Sequence, residues 1–133
     1  MQEKQEMIHR RAVISEKAVI GKNTKIGAGA IIGEAAVIGE SCSIGTGVII
    51  EPGSVVEKDC LLEPGVIIGK AVTVGKNTKI GMGARIKDNV TIAPDSVIKI
   101  GEIVLKDMVY KMVFKRGDWI YREDSLNREN DKE

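Results

Sequence analysis

Aromatic side chains are nearly missing from this chain: one Phe, one Trp and two Tyr among 133 residues, all between Tyr110 and Tyr121. The first hundred residues must therefore build an aliphatic core. Two Cys exclude a disulfide framework. No apolar run approaches the roughly 20 residues of a membrane helix. Twenty Lys and Arg against nineteen Asp and Glu leave a net charge of +1, without the concentrated basic surface that nucleic acid requires. The opening MQEKQEM has no apolar h-region, so a secretory signal is not expected and a cytoplasmic location is. The length suits one domain. Fifteen Gly against three Pro indicate a chain that turns often.

What is present is a repeat. Every sixth position from Ile14 is aliphatic: Ile14, Ile20, Ile26, Ile32, Ile38, Ile44, Ile50, Val56, Leu62, Ile68, Val74, Ile80, Ile86, Ile92 and Ile98. Ile8 adds one more unit. Two residues before each stands a small or β-branched residue, such as Ala30, Cys42, Val48, Ser54 and Cys60. Gly often follows, as at Gly21, Gly27, Gly33 and Gly39. A period of six fits neither an α-helix nor one long strand. It fits short strands with inward residues two apart, joined by tight turns.

A longer period overlies the short one. Gly29, Gly47, Gly65, Gly83 and Gly101 recur every 18 residues, as do the turn formers Asn23, Ser41, Asp59, Asn77 and Asp95. Eighteen is three sixes, which gives three flat sides, three distinct corners and about five stacked coils. The segment GKNTKIG occurs at Gly21–Gly27 and again at Gly75–Gly81, on the same corner three coils apart.

Tandem [LIV]-[GAED]-x-x-[STAV]-x units of this kind, running over about residues 8–100, resemble the hexapeptide-repeat acyltransferase superfamily. The resemblance implies an all-β fold, a left-handed parallel β-helix of about five three-sided coils with a short C-terminal capping element. Handedness is implied by the resemblance, not by the period. The chain divides into a polar lead (1–7), the repeat domain (8–101), a cap or clamp (102–122) and a tail expected to be disordered (123–133).

Residues 18 apart are stacked neighbours. Cys42 and Cys60 meet that condition at the small inward position and read as buried filler, not as a redox or catalytic pair. The residue between two inward positions faces out. One side thus presents Val13, Ile31, Ile49, Ile67 and Arg85, the next Val19, Val37, Val55, Thr73 and Thr91, and the third Lys25, Ser43, Leu61, Lys79 and Val97. The Val13/Ile31/Ile49/Ile67 and Val19/Val37/Val55 stripes predict an interface, most simply a homotrimer as in the family.

The segment after Gly101 differs in kind. Phe114 and Trp119 flank Lys115–Asp118, whose Gly117 suits the turn of a hairpin. Leu105, Met108, Val109 and Met112 equally fit a short helical stripe. Either element would cap the open strand edges or clamp a neighbouring subunit. The Arg116-Gly117-Asp118 triplet reads as a turn, not as an adhesion motif.

In the acyltransferases that the chain resembles, a His on a middle coil acts as general base and acyl-CoA lies in a groove between subunits. Here His9 is the one His, in IHRRA at the opening of the repeat, and the six-residue register leaves no room for an active-site loop. No catalytic residue is assigned. Nor is a metal: a carbonic-anhydrase site would need three His. Lys22, Asn23 and Lys25, with Lys76, Asn77 and Lys79 three coils on, form a basic, amide-lined edge suited to CoA phosphates, or simply to solvent. Glu51, Glu57 and Glu63 fall on three successive sides and cannot converge within one subunit. Two readings follow. One is a trimeric acyltransferase using acetyl-CoA or acyl-CoA as co-substrate toward a small hydroxyl or amine acceptor, with sites at subunit boundaries and no tightly bound cofactor. The other is a non-catalytic trimeric scaffold or assembly module.

Overall fold

The computed structural model describes residues 7–115 and 118–125. The repeat winds as a left-handed parallel β-helix whose two-residue strands lie on three sheets. The first sheet stacks β1 (Val13–Ile14), β4 (Ile31–Ile32), β7 (Ile49–Ile50), β10 (Ile67–Ile68), β13 (Arg85–Ile86) and β16 (Ile103–Val104). The second stacks β2 (Val19–Ile20), β5 (Val37–Ile38), β8 (Val55–Val56), β11 (Thr73–Val74) and β14 (Thr91–Ile92). The third stacks β3 (Lys25–Ile26), β6 (Ser43–Ile44), β9 (Leu61–Leu62), β12 (Lys79–Ile80) and β15 (Val97–Ile98).

The register is the 18-residue period made physical. Val13 pairs with Ile31, Ile31 with Ile49, Ile49 with Ile67 and Ile67 with Arg85. Each coil donates its N–H groups to the carbonyls of the next, as in Val13 N–H to Ala30 O at 2.8 Å and Ile31 N–H to Val48 O at 2.9 Å. The second residue of each strand points inward. Ile32, Ile50, Ile68 and Ile80 are fully buried, and each such side chain contributes roughly 2 kcal/mol. Aliphatic residues of one size fill a triangular bore that an aromatic ring would overfill.

The corners require left-handed backbone. Gly29, Gly47, Gly65, Gly83 and Gly101 have φ of 70–79°, and the Asn23/Ser41/Asp59/Asn77/Asp95 column has φ of 57–64°. Both columns match the sequence expectation. The third corner does not advertise itself: it places Ala35, Gly53, Ala71 and Asn89 at φ of 54–78°. For alanine that conformation costs about 1–2 kcal/mol.

At the C-terminal end the stack continues past Gly101, since β16 pairs with β13 and Val104 is buried. The register then shortens. Ile92 pairs with Met108, 16 residues on, where the earlier coils use 18. Asp107 closes the short turn by accepting the Thr91 N–H at 2.9 Å. β17 (Met108–Lys115) and β18 (Asp118–Ser125) then form an antiparallel hairpin with Phe114 opposite Trp119. The hairpin is therefore the structure that the sequence left open against a helix. It extends the second sheet and leaves β15 at the edge of the third. The tail expected to be disordered from Glu123 is in strand to Ser125. Arg116 and Gly117, at the expected turn, and residues 1–6 and 126–133 lie outside the described residues. Among the described residues, no helix is long and apolar enough to cross a membrane.

Candidate functional site

A groove of about 650 Å³ lies beside the third sheet, near the N-terminal end of the stack. Ile8 pairs with Ile26 in parallel and so lays Met7 and His9 along the first coil. Lys25 and Ser43 line the groove from the outward positions of β3 and β6, with Thr46 and Pro64 from the following corner. Its floor needs Gly27, where a Cβ would stand 2.8 Å from the Thr46 nitrogen.

His9 is exposed, and its Nδ1 accepts the Arg11 N–H at 3.0 Å. A neutral ring held this way carries its proton on Nε2. In that tautomer the ring's second nitrogen is a hydrogen-bond donor, not the lone pair of a general base. The sequence did place His9 in the opening coil. It did not show that the lead-in brings His9 beside Lys25.

The other residues of the basic edge divide into two groups. Lys22 and Asn23 occupy the corner just before Lys25, whereas Lys76, Asn77 and Lys79 stand about 14 Å along the stack at the usual strand spacing. The two groups do not converge on one point. Glu40, Ser41, Lys58 and Asp59 occupy the intervening corners, so the edge carries charge of both signs. The Asn77 amide donates to Asp95 Oδ1 at 2.7 Å, and the Lys76 N–H donates to Glu57 Oε1 at 3.1 Å.

Glu57, Glu63 and the thiols have structural partners. Glu63 Oε1 accepts the Met82 N–H at 3.0 Å, as Glu57 does for Lys76, so each ties one coil to the next. Thr24, Cys42, Cys60 and Thr78 form one inward column, and each donates to the carbonyl fifteen residues on. Hydrogen bonding to Cys42, together with burial, pushes the Cys60 thiol up. It is a protonated donor in a packed wall. Among the described residues, no group of three metal-ligating side chains comes together.

Known proteins share this architecture. The family model for bacterial transferase hexapeptide (six repeats) matches residues 23–58 and 53–88. Among solved structures, a mutant of GDP-perosamine N-acetyltransferase from Caulobacter crescentus, in complex with CoA and GDP-perosamine, is 31% identical with a TM-score of 0.75. That match covers 75% of this chain and 48% of that one. The UDP-N-acetylglucosamine acyltransferase of Francisella novicida is 25% identical, with a TM-score of 0.60 over 71% of this chain and 46% of that one. The acetyltransferase domain of PglB from Neisseria gonorrhoeae shares the fold at 20% identity, with a TM-score of 0.74 over 83% of this chain and 51% of that one. No curated protein sequence matches. The chain spans about half the length of these solved structures. Repeat, register and family match together make this chain a member of the hexapeptide-repeat acyltransferase superfamily.

Proposed function

We propose that this chain is the transfer domain of a CoA-dependent acyltransferase that works as a trimer and acylates a hydroxyl or amine of a small acceptor. The observation that carries this reading is the groove in which Lys25, His9 and the Ser43 and Thr46 side chains meet, on the fold of a CoA-bound relative. CoA is polyanionic, and the described residues give the Lys25 ammonium no acid within ion-pair distance. With Lys22 it offers a cationic contact for phosphate. Lys76, Asn77 and Lys79, further along, would serve an extended ligand and not a single phosphate. A neutral His9 would offer its Nε2–H to a developing oxyanion. The trimer would bury the Val13/Ile31/Ile49/Ile67 and Val19/Val37/Val55 stripes, and the reduced thiols suit the cytoplasm.

The scaffold reading draws on the same stripes and on the lack of a His on a middle coil. Titrating acetyl-CoA into wild type and Lys25→Ala separates the two. Transferase function predicts saturable binding that the variant weakens at least several-fold with its mass unchanged. No binding to wild type would leave assembly as the property to pursue.

A further inference from the structure

Glu51, Glu57 and Glu63 stand at equivalent places on one coil, each the first residue after a strand. Glu57 and Glu63 accept the N–H of the residue 19 positions on, Lys76 and Met82. The counterpart for Glu51 is the Lys70 N–H, and Asp88 Oδ1 already holds it at 2.9 Å. Asp88 reaches that far because a Cβ on Gly69, which would run into its carboxylate, is missing. Glu51 is left half-buried and, among the described residues, without a side-chain partner.

Glu51 opens the corner between the first and second sheets, and that corner is unusual in another way. Its left-handed positions include Ala35, Gly53 and Ala71, all exposed, at φ of 60°, 78° and 54°. The corner between the second and third sheets fills the same places with Asn23, Ser41, Asp59, Asn77 and Asp95. Those polar residues suit both the turn and water. Crowding within the chain does not explain the smaller ones: a Cβ on Gly53 would meet only the Ala71 nitrogen, at 4.0 Å. Small apolar tips, kept where asparagine would fit the turn better, suit a close approach from outside the chain.

The two aliphatic stripes flank this corner, Ile31/Ile49/Ile67 on one side and Val37/Val55 on the other. In a cyclic trimer that buries both, each stripe faces a different neighbour, so the corner between them turns toward the three-fold axis.

We propose that this corner lies at the axis of the trimer and that Glu51 there meets Lys70 of the partner subunit. The inference rests on the trimer proposed above. Copies related by an axis along the stack stand level, and Lys70 sits one coil, about 4.8 Å, above Glu51. Lys70 is exposed, with no acid within ion-pair distance among the described residues, whereas Lys17 on the same corner stands 4.0 Å from Glu34. A carboxylate that loses water between copies needs a cation.

Light scattering on dilute protein tests this with charge reversals. Glu51→Lys and Lys70→Glu should each raise the concentration at which the trimer dissociates at least about tenfold, because each sets like charges together. The double variant should recover most of that loss. Ala71→Asn, which suits the left-handed turn as Asn77 does, should also favour the monomer while the far-UV β-sheet signal stays unchanged. Single reversals that leave the mass unchanged, or a double variant no better than either, would overturn the contact. A wild-type trimer indifferent to Ala71→Asn would remove the corner from the axis and contradict this inference alone. A wild-type monomer would remove the trimer as well.

Discussion

Cys42 and Cys60 stand one coil apart in a single inward column, the Cys42 thiol donating to Glu57 O at 3.1 Å and the Cys60 thiol to Gly75 O at 3.2 Å. Thr24 makes the same bond one coil earlier, to Gly39 O at 2.7 Å, and its hydroxyl also accepts the Cys42 N–H at 3.1 Å. The position selects a small side chain with one proton to give. Cysteine, threonine and serine all meet that demand.

Cys42→Ser should therefore leave stability nearly unchanged, whereas Cys42→Val, which leaves the Glu57 carbonyl without its donor, should cost about 1 kcal/mol in urea unfolding. An equal loss in both variants would mean that volume, not the donor, sets the position. Neither thiol should react with an aromatic disulfide reagent until the protein unfolds, because both are buried.

Corner geometry gives a second test. Ala71 holds φ at 54°, so Ala71→Gly should stabilise by roughly 0.5–1 kcal/mol once the greater flexibility of unfolded glycine is subtracted. Gly27→Ala should act in the opposite sense, since its Cβ would press on the Thr46 backbone, at a cost of about 1–3 kcal/mol. Thermal unfolding of the two variants against wild type reads both signs.

The aliphatic stripe gives a third. Ile31, Ile49 and Ile67 face outward in register on the first sheet, with Ile31 44% exposed. Ile49→Asp should convert the assembly to monomers by light scattering and leave the β-sheet signal in place. An unchanged mass would assign the interface to another face.

Most of the fold was legible because the bore tolerates so few side chains. An inward Ile, Leu or Val at each of fifteen consecutive sixth positions, together with glycine and asparagine at left-handed turns, states the geometry directly. Ala35 and Ala71 escaped because alanine carries no signature of the left-handed region; stacking on neighbouring coils holds them there. The coil shortened from 18 to 16 residues between Ile92 and Met108 escaped because Val104 keeps the six-residue beat just before the break. The site was legible only in part. Lys25 was visible as a basic residue on an outward position. Its meeting with His9 depends on the bridge between Ile8 and Ile26, which no periodicity announces.

The most direct measurement is the unfolding midpoint of the wild-type protein with and without acetyl-CoA at matched ionic strength, with Lys25→Glu alongside. A CoA site in the groove predicts a saturable rise for wild type, about 2.7 kcal/mol at a hundred times the dissociation constant, and little or none for the variant. The same rise in both proteins would remove the groove from the account, and no rise in wild type up to millimolar ligand would contradict CoA-dependent transfer.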